Sequence, residues 1–181
     1  MKKIILAIAF SGIFSAIQAQ TEKGDWLVGG RVDINTGDNS THIGFTPNAG
    51  IFIINNLAIG GNITIDYNKS ADIKVTDFGI GPFVRYYFTT AKVRPLLHGS
   101  LSFLNTKVKT PLGKESNTGT NIFLGGGAAI FINENVALEP IMGYTNTKYK
   151  NFEGSGGFSF GFGFQVYINK GQVDKLRGKS N

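Results

Sequence analysis

Residues 157–168 read GFSFGFGFQVYI, the stretch that most constrains the fold. Phe158, Phe160, Phe162, Phe164, Val166 and Ile168 share one parity, and Ser159, Gly161, Gly163, Gln165 and Tyr167 the other. A β-strand sends alternate side chains to opposite faces, so this segment is a strand with one apolar face and one small or polar face. The same alternation runs through 26–34, 42–53, 57–67, 77–88, 93–103, 122–132 and 136–145. No stretch has helical periodicity. The chain is therefore expected to be all-β, with eight strands.

The connections alternate as well. Segments 35–41, 68–74, 105–119 and 146–156 are polar and longer, whereas 54–56, 89–92 and 133–135 are tight. Long and short loops in strict alternation predict an antiparallel up-and-down transmembrane β-barrel of an outer membrane. Its long loops then face outside, and both termini lie with the short periplasmic turns. The direction of the apolar face separates this fold from a soluble, lipocalin-like lipid-binding barrel. A soluble barrel needs many charges on its outer face, yet charged residues are only 17 % of the 181, against roughly 25 % in soluble domains. The polar parity is mostly Gly, Ala, Ser, Asn and Thr, which suit the tight interior of an eight-stranded barrel. Aromatics on the apolar parity form two expected girdles. Trp26, Tyr86 and Phe88 make the periplasmic one; Phe45, Tyr67, Phe103, Tyr144 and Phe158 make the outer one. Pro82, Pro95 and Pro140 fall inside strands, where each removes a ladder donor.

Residues 1–19 read as a cleaved secretory signal peptide: Lys2 and Lys3, an apolar run from Ile4 to Ile17, then Ala19 as the cleavage site. The run is shorter than the roughly 20 residues a spanning helix needs. Residues 20–169 are expected to form the barrel, and 170–181 a polar basic periplasmic tail. The net charge of +6 gives little support to nucleic-acid binding. Lys2 and Lys3 leave with the signal peptide, and Lys170, Lys175, Arg177 and Lys179 sit in the tail against Asp174, so the barrel itself is nearly neutral. The absence of Cys excludes a disulfide scaffold, a thiolate metal site and a cysteine nucleophile.

The signal peptide, eight amphipathic strands and final Phe-rich strand resemble the small outer-membrane β-barrel proteins of the OmpX and OmpA-transmembrane-domain kind. The resemblance covers Trp26 to Ile168 and carries no catalytic signature. It departs at the end, where a polar tail follows Tyr167 and Ile168 in place of a terminal aromatic. That tail is too short for the peptidoglycan-binding domain of the OmpA type, so the anchoring role of that domain is not expected.

Seven charges fall on the inward parity: Arg31, Asp33, Asp66, Asp77, Arg85, Arg94 and Glu139. Isolated charges in a narrow lumen are costly, so they are expected to pair in an ion-pair network that plugs it. Asp66 and Asp77 are expected nearly opposite each other, with Arg31 as counter-charge. The alternative is a narrow, porin-like channel. A lipid-modifying outer-membrane enzyme is a further alternative, because His98 and Ser100 have the His-x-Ser spacing of lipid A deacylases. Both face the lumen, however, and no acid is placed to orient His98. His42, beside a polar loop, reads as a solvated surface residue. The glycines of GIGPF and LGGGAAIF lack a phosphate-loop Lys and read as strand glycines.

These readings converge on a monomeric outer-membrane protein with a structural or surface-interaction role. No cofactor, metal or catalysis is expected. Its partners are membrane lipids and lipopolysaccharide. An extracellular ligand or host surface is expected to bind through loops 35–41, 68–74, 105–119 and 146–156, the longest of which carries Lys107, Lys109 and Lys114.

Overall fold

Period-two patterning, repeated eight times and closed by pairing of the last strand with the first, produces a sheet without edges. The computed structural model describes residues 21–37, 40–70, 73–111, 113–150 and 153–176. The strands are β1 (Trp26–Gly37), β2 (Ser40–Ile54), β3 (Leu57–Ser70), β4 (Ile73–Tyr87), β5 (Val93–Thr110), β6 (Gly113–Phe131), β7 (Val136–Tyr149) and β8 (Ser155–Ile168). All neighbours are antiparallel in the order β1 to β8, and β1 pairs with β8 to close the barrel. The chain is thus an up-and-down all-β barrel. Closure pairs β1 with β8 over Trp26–Val32 and Phe162–Ile168, so the seam has no open edge along that length, as crossing a bilayer requires.

The apolar parity faces outward. Phe158 is 88 % exposed and Leu124 67 %, and Phe103, Phe162, Ile80 and Met142 are also exposed. The girdle residues Phe45, Tyr67, Tyr86, Phe88, Phe103, Tyr144 and Phe158 lie on this face, with Trp26 half-buried beside them. Tyr86 meets Phe88 edge-on at 5.1 Å between centroids, and Tyr144 meets Phe158 at 5.6 Å. Such perpendicular pairs suit the ring quadrupoles.

The polar connections differ from the sequence reading. Segments 35–41, 68–74, 105–119 and 146–156 were expected as loops, but strand pairing continues through most of each. The β5–β6 pairing runs out to Thr110 opposite Gly113, and β5 and β6 reach 18 and 19 residues. These segments are polar, rich in Asn and Lys, with Thr36, Thr41, Thr106, Thr110, Thr118 and Thr147 as their recurring β-former. A hairpin that projects into water keeps its backbone paired as well as one in lipid does.

Proline costs little here. The β4–β5 pairing skips from Ile80 opposite Phe103 to Phe83 opposite Ser100, passing over Pro82. The β6–β7 pairing skips past Pro140, and the β2–β3 pairing past Pro47, each without a change of register. Pro95 stands where the β4–β5 pairing ends, and its carbonyl accepts from Phe88 N at 3.0 Å. Among the described residues the one register shift lies between Phe52 and Ile54 of β2.

The signal-peptide expectation falls on residues 1–19, outside the described residues. The expected polar tail begins as a short helix, α1 (Lys170–Leu176). Asn169 Oδ1 accepts from Gln172 N at 2.7 Å and Gln172 Oε1 accepts from Asn169 N at 3.1 Å, a reciprocal cap at the helix start. Lys170 N donates to Asp25 Oδ1 at 3.0 Å, docking α1 against the segment before β1.

Candidate functional site

Among the described residues the lumen gathers buried polar chemistry away from lipid, and it has three storeys. The middle one is aromatic. Gly50 stands opposite Gly60, and Gly125 opposite Gly143. Each pair forms a flat floor for one inward ring. A Cβ on Gly60 would lie 2.6 Å from Phe83 Cε1, and one on Gly143 would lie 2.7 Å from Phe123 Cζ. Glycine is needed there because the ring lies directly on the backbone. Phe83 and Phe123 flank the buried His98, with centroid separations of 5.5 and 5.9 Å.

Toward the termini lies a buried strut. Arg85 on β4 and Glu139 on β7 are not on neighbouring strands, so their 2.7 Å ion pair crosses the lumen. Their side chains are 2 % and 0 % exposed. Glu139 Oε1 also accepts from the hydroxyls of Tyr167 at 2.6 Å and Tyr87 at 3.2 Å, and those hydroxyls lie 2.8 Å apart. Arg85 Nε donates to His98 Nδ1 at 3.1 Å. Leu27, Phe52, Leu96 and Phe131 pack around this network. Below it, Arg94 donates to Thr21 Oγ1 at 2.7 Å and to the carbonyls of Ala91 and Thr90 at 2.9 Å each. Its guanidinium lies 4.5 Å from the centre of the Phe131 ring. Thr21 in turn donates to Asn56 Oδ1 at 2.7 Å, so the segment before β1 is tied across the base of the barrel.

The outer storey is an open polar cavity of about 600 Å³. Along β5 and β6 its lining residues nearest the termini are Ser100 and Phe123. Arg31 pairs with Asp33 at 3.0 Å, and its guanidinium lies 4.5 Å from the centre of the Phe123 ring. Asp33 is paired in register with Gly44, Gly44 with Asp66, and Asp66 with Asp77. Asp77 accepts from the hydroxyls of Thr106 and Tyr149.

The sequence-predicted charges thus divide into separate groups. Arg85 and Glu139 meet in the strut, and Arg31 and Asp33 meet in the outer cavity above Phe123. Asp66 and Asp77 stand opposite each other, and Arg94 belongs to the base. His42, read as a solvated surface residue, instead lines the outer cavity, where its Nδ1 is 2.7 Å from Asn68 Oδ1. His98 and Ser100 are split between storeys. His98 Nδ1 is engaged by Arg85, while Ser100 lines the outer cavity. Among the described residues no cluster of three His, Cys, Asp or Glu is arranged to hold a metal ion. The sequence reading missed the buried inward aromatics Phe52, Phe83, Tyr87, Phe123 and Phe131. Their even spacing from recognised inward residues, as Phe83 is two from Arg85, was the available signal.

The comparisons agree with this architecture. The outer membrane protein beta-barrel domain family matches residues 5–166. The crystal structure of Neisserial surface protein A superposes with a TM-score of 0.62 at 18 % identity, covering 81 % of this chain and 97 % of that one. The N-terminal β-barrel domain of Pseudomonas aeruginosa OprF gives 0.57 at 12 % identity, covering 81 % and 98 %. At such identities these likenesses speak for the fold alone. No curated protein matches the chain. The family match spans nearly the whole barrel, and the lipid-facing apolar surface accounts for it physically: the chain belongs to the outer-membrane protein β-barrel domain family.

Proposed function

We propose that the mature protein is a monomeric, non-conducting barrel that acts at the cell surface through its four outer hairpins, without catalysis. It is exported by a signal peptide cleaved after Ala19, and it holds its termini in the periplasm. The observation that carries the closed reading is the Arg85–Glu139 strut across a lumen already narrowed by Phe83, His98 and Phe123. A water-filled ion path needs a continuous polar bore, and these storeys interrupt it. Catalysis by the His-x-Ser pair is disfavoured because His98 Nδ1 accepts from a cation, where a triad base would donate to a carboxylate. With the core spent on closure, variable chemistry falls to the projecting hairpins, where loop residues on a rigid scaffold commonly carry function.

Planar-bilayer recording tests the closed state. The purified full-length mature chain is expected to give no steady single-channel steps at 1 M salt. Steady steps that persist after repurification would overturn the closed reading and favour the narrow channel.

A further inference from the structure

Lysines scattered through the sequence become neighbours once the strands pair. Lys69 stands opposite Lys74, Lys74 opposite Lys109, and Lys109 opposite Lys114. The four therefore form one cross-strand row on β3, β4, β5 and β6. Adjacent strands lie about 4.8 Å apart, so the row spans roughly 15 Å. All four are exposed. They share the outward parity, because Lys69 lies two residues beyond Tyr67 and Lys74 four residues before Phe78, both of which are exposed on the apolar face. Lys107 adds a fifth cation one pleat below, opposite Thr76 and Ser116. Among the described residues none of these lysines forms an ion pair.

Like charges directly opposite on a sheet repel. A row of four without carboxylates between them destabilises the hairpins unless an anion lies against it. Its height is informative. The row begins one pleat beyond Tyr67 on β3, at the edge of the apolar belt where lipid heads start, and rises to six residues beyond Phe103 on β5. It also faces sideways, away from the lumen and along the barrel wall. We propose that the Lys69–Lys74–Lys109–Lys114 row is a binding surface for the phosphate groups of anionic lipid in the outer leaflet, the phosphorylated head of lipid A. The inference rests on the outward orientation of the hairpins and is independent of whether the lumen conducts.

The test uses the full-length mature chain, folded in neutral detergent micelles, with bis-phosphorylated lipid A as probe and native mass spectrometry as readout. The row variant is Lys69→Gln/Lys74→Gln/Lys109→Gln/Lys114→Gln. The control is Lys23→Gln/Lys92→Gln/Lys170→Gln/Lys175→Gln, with the same charge loss at the opposite end. Each lysine near an anionic lipid surface is worth roughly fivefold in binding. The row variant is expected to lose at least about tenfold in lipid A affinity, and the control less than about twofold. Dephosphorylated lipid A is expected to bind both equally, and millimolar inorganic phosphate to displace little. Without lipid, the row variant is expected to unfold at a higher temperature than the parent, since its repulsion is gone; this reading also establishes that it folds. Equal lipid A affinity in parent and row variant, an equal loss in the control, or displacement by millimolar inorganic phosphate overturns the proposal.

Discussion

Glu139→Gln is expected to lower the unfolding free energy of the barrel by about 3–5 kcal/mol, the usual cost of stranding one partner of a buried ion pair. The substitution changes shape little. It leaves the Arg85 guanidinium, 2 % exposed, without its 2.7 Å counter-charge. It also replaces an acceptor for the hydroxyls of Tyr87 and Tyr167 with a group that is half donor. Urea unfolding in lipid vesicles reads the effect through Trp26, the single tryptophan, which sits on the outer parity near the termini and leaves lipid when the barrel opens. The double variant Arg85→Met/Glu139→Leu is expected to recover most of the loss, because apolar replacement of an entire buried pair is often neutral or stabilising. The partly exposed Arg31–Asp33 pair sets the contrast, and Arg31→Gln is expected to cost below about 1 kcal/mol. A loss under about 1 kcal/mol for Glu139→Gln would show that water reaches the strut and that the lumen is open at that point.

What made the fold readable in the sequence is also what limited the reading. Period two is a local property, so the apolar row of Phe158 to Phe164 could be assigned a face before any partner strand was known. The position of Asp66 opposite Asp77 followed from counting outward from one turn. Properties that depend on several registers at once stayed hidden. The lysine row needs three successive pairings to appear, the Gly50/Gly60 floor needs one plus the Phe83 ring from a third strand, and the Gly125/Gly143 floor needs one that brings Gly143 under the Phe123 ring of β6. The ends of the strands were misjudged for another reason. Polar composition marks where lipid stops, which is not where pairing stops, so residues 105–119 read as a loop although most of them extend β5 and β6. His42 followed the same error: it shares the inward parity of Gly44 and Thr46, but the polar loop expected beside it suggested solvent, whereas β2 already begins at Ser40 and keeps it in the cavity. The cap of α1 was present in the sequence as Asn169 and Gln172, but seven residues are too few for helical periodicity to stand out.

Gly143→Val is expected to destabilise the barrel by about 1–3 kcal/mol through overpacking, while Gly157→Val is expected to stay within about 0.5 kcal/mol of the parent. Both glycines belong to inward-facing parities, so composition and strand propensity predict the same outcome for the two. Space separates them. A Cβ at Gly143 would meet Gly125 Cα and Leu124 O at 2.5 Å and Phe123 Cζ at 2.7 Å, whereas one at Gly157 meets nothing within 4 Å. The backbone contacts make relief expensive, because the β6–β7 pairing itself must open where the barrel has no edge to absorb strain. The ring contact drives Phe123 off its floor and disturbs its 4.5 Å contact with Arg31. If the glycine pair exists to seat that ring, the two changes must interact. Phe123→Ala is expected to cost about 3–5 kcal/mol in the parent. It is expected to cost less by at least about 1 kcal/mol in the Gly143→Val background, where the valine fills part of the space the ring vacates. Strict additivity of the two substitutions would mean that Phe123 and Gly143 do not share a packing site, and the aromatic storey would then not depend on its glycines.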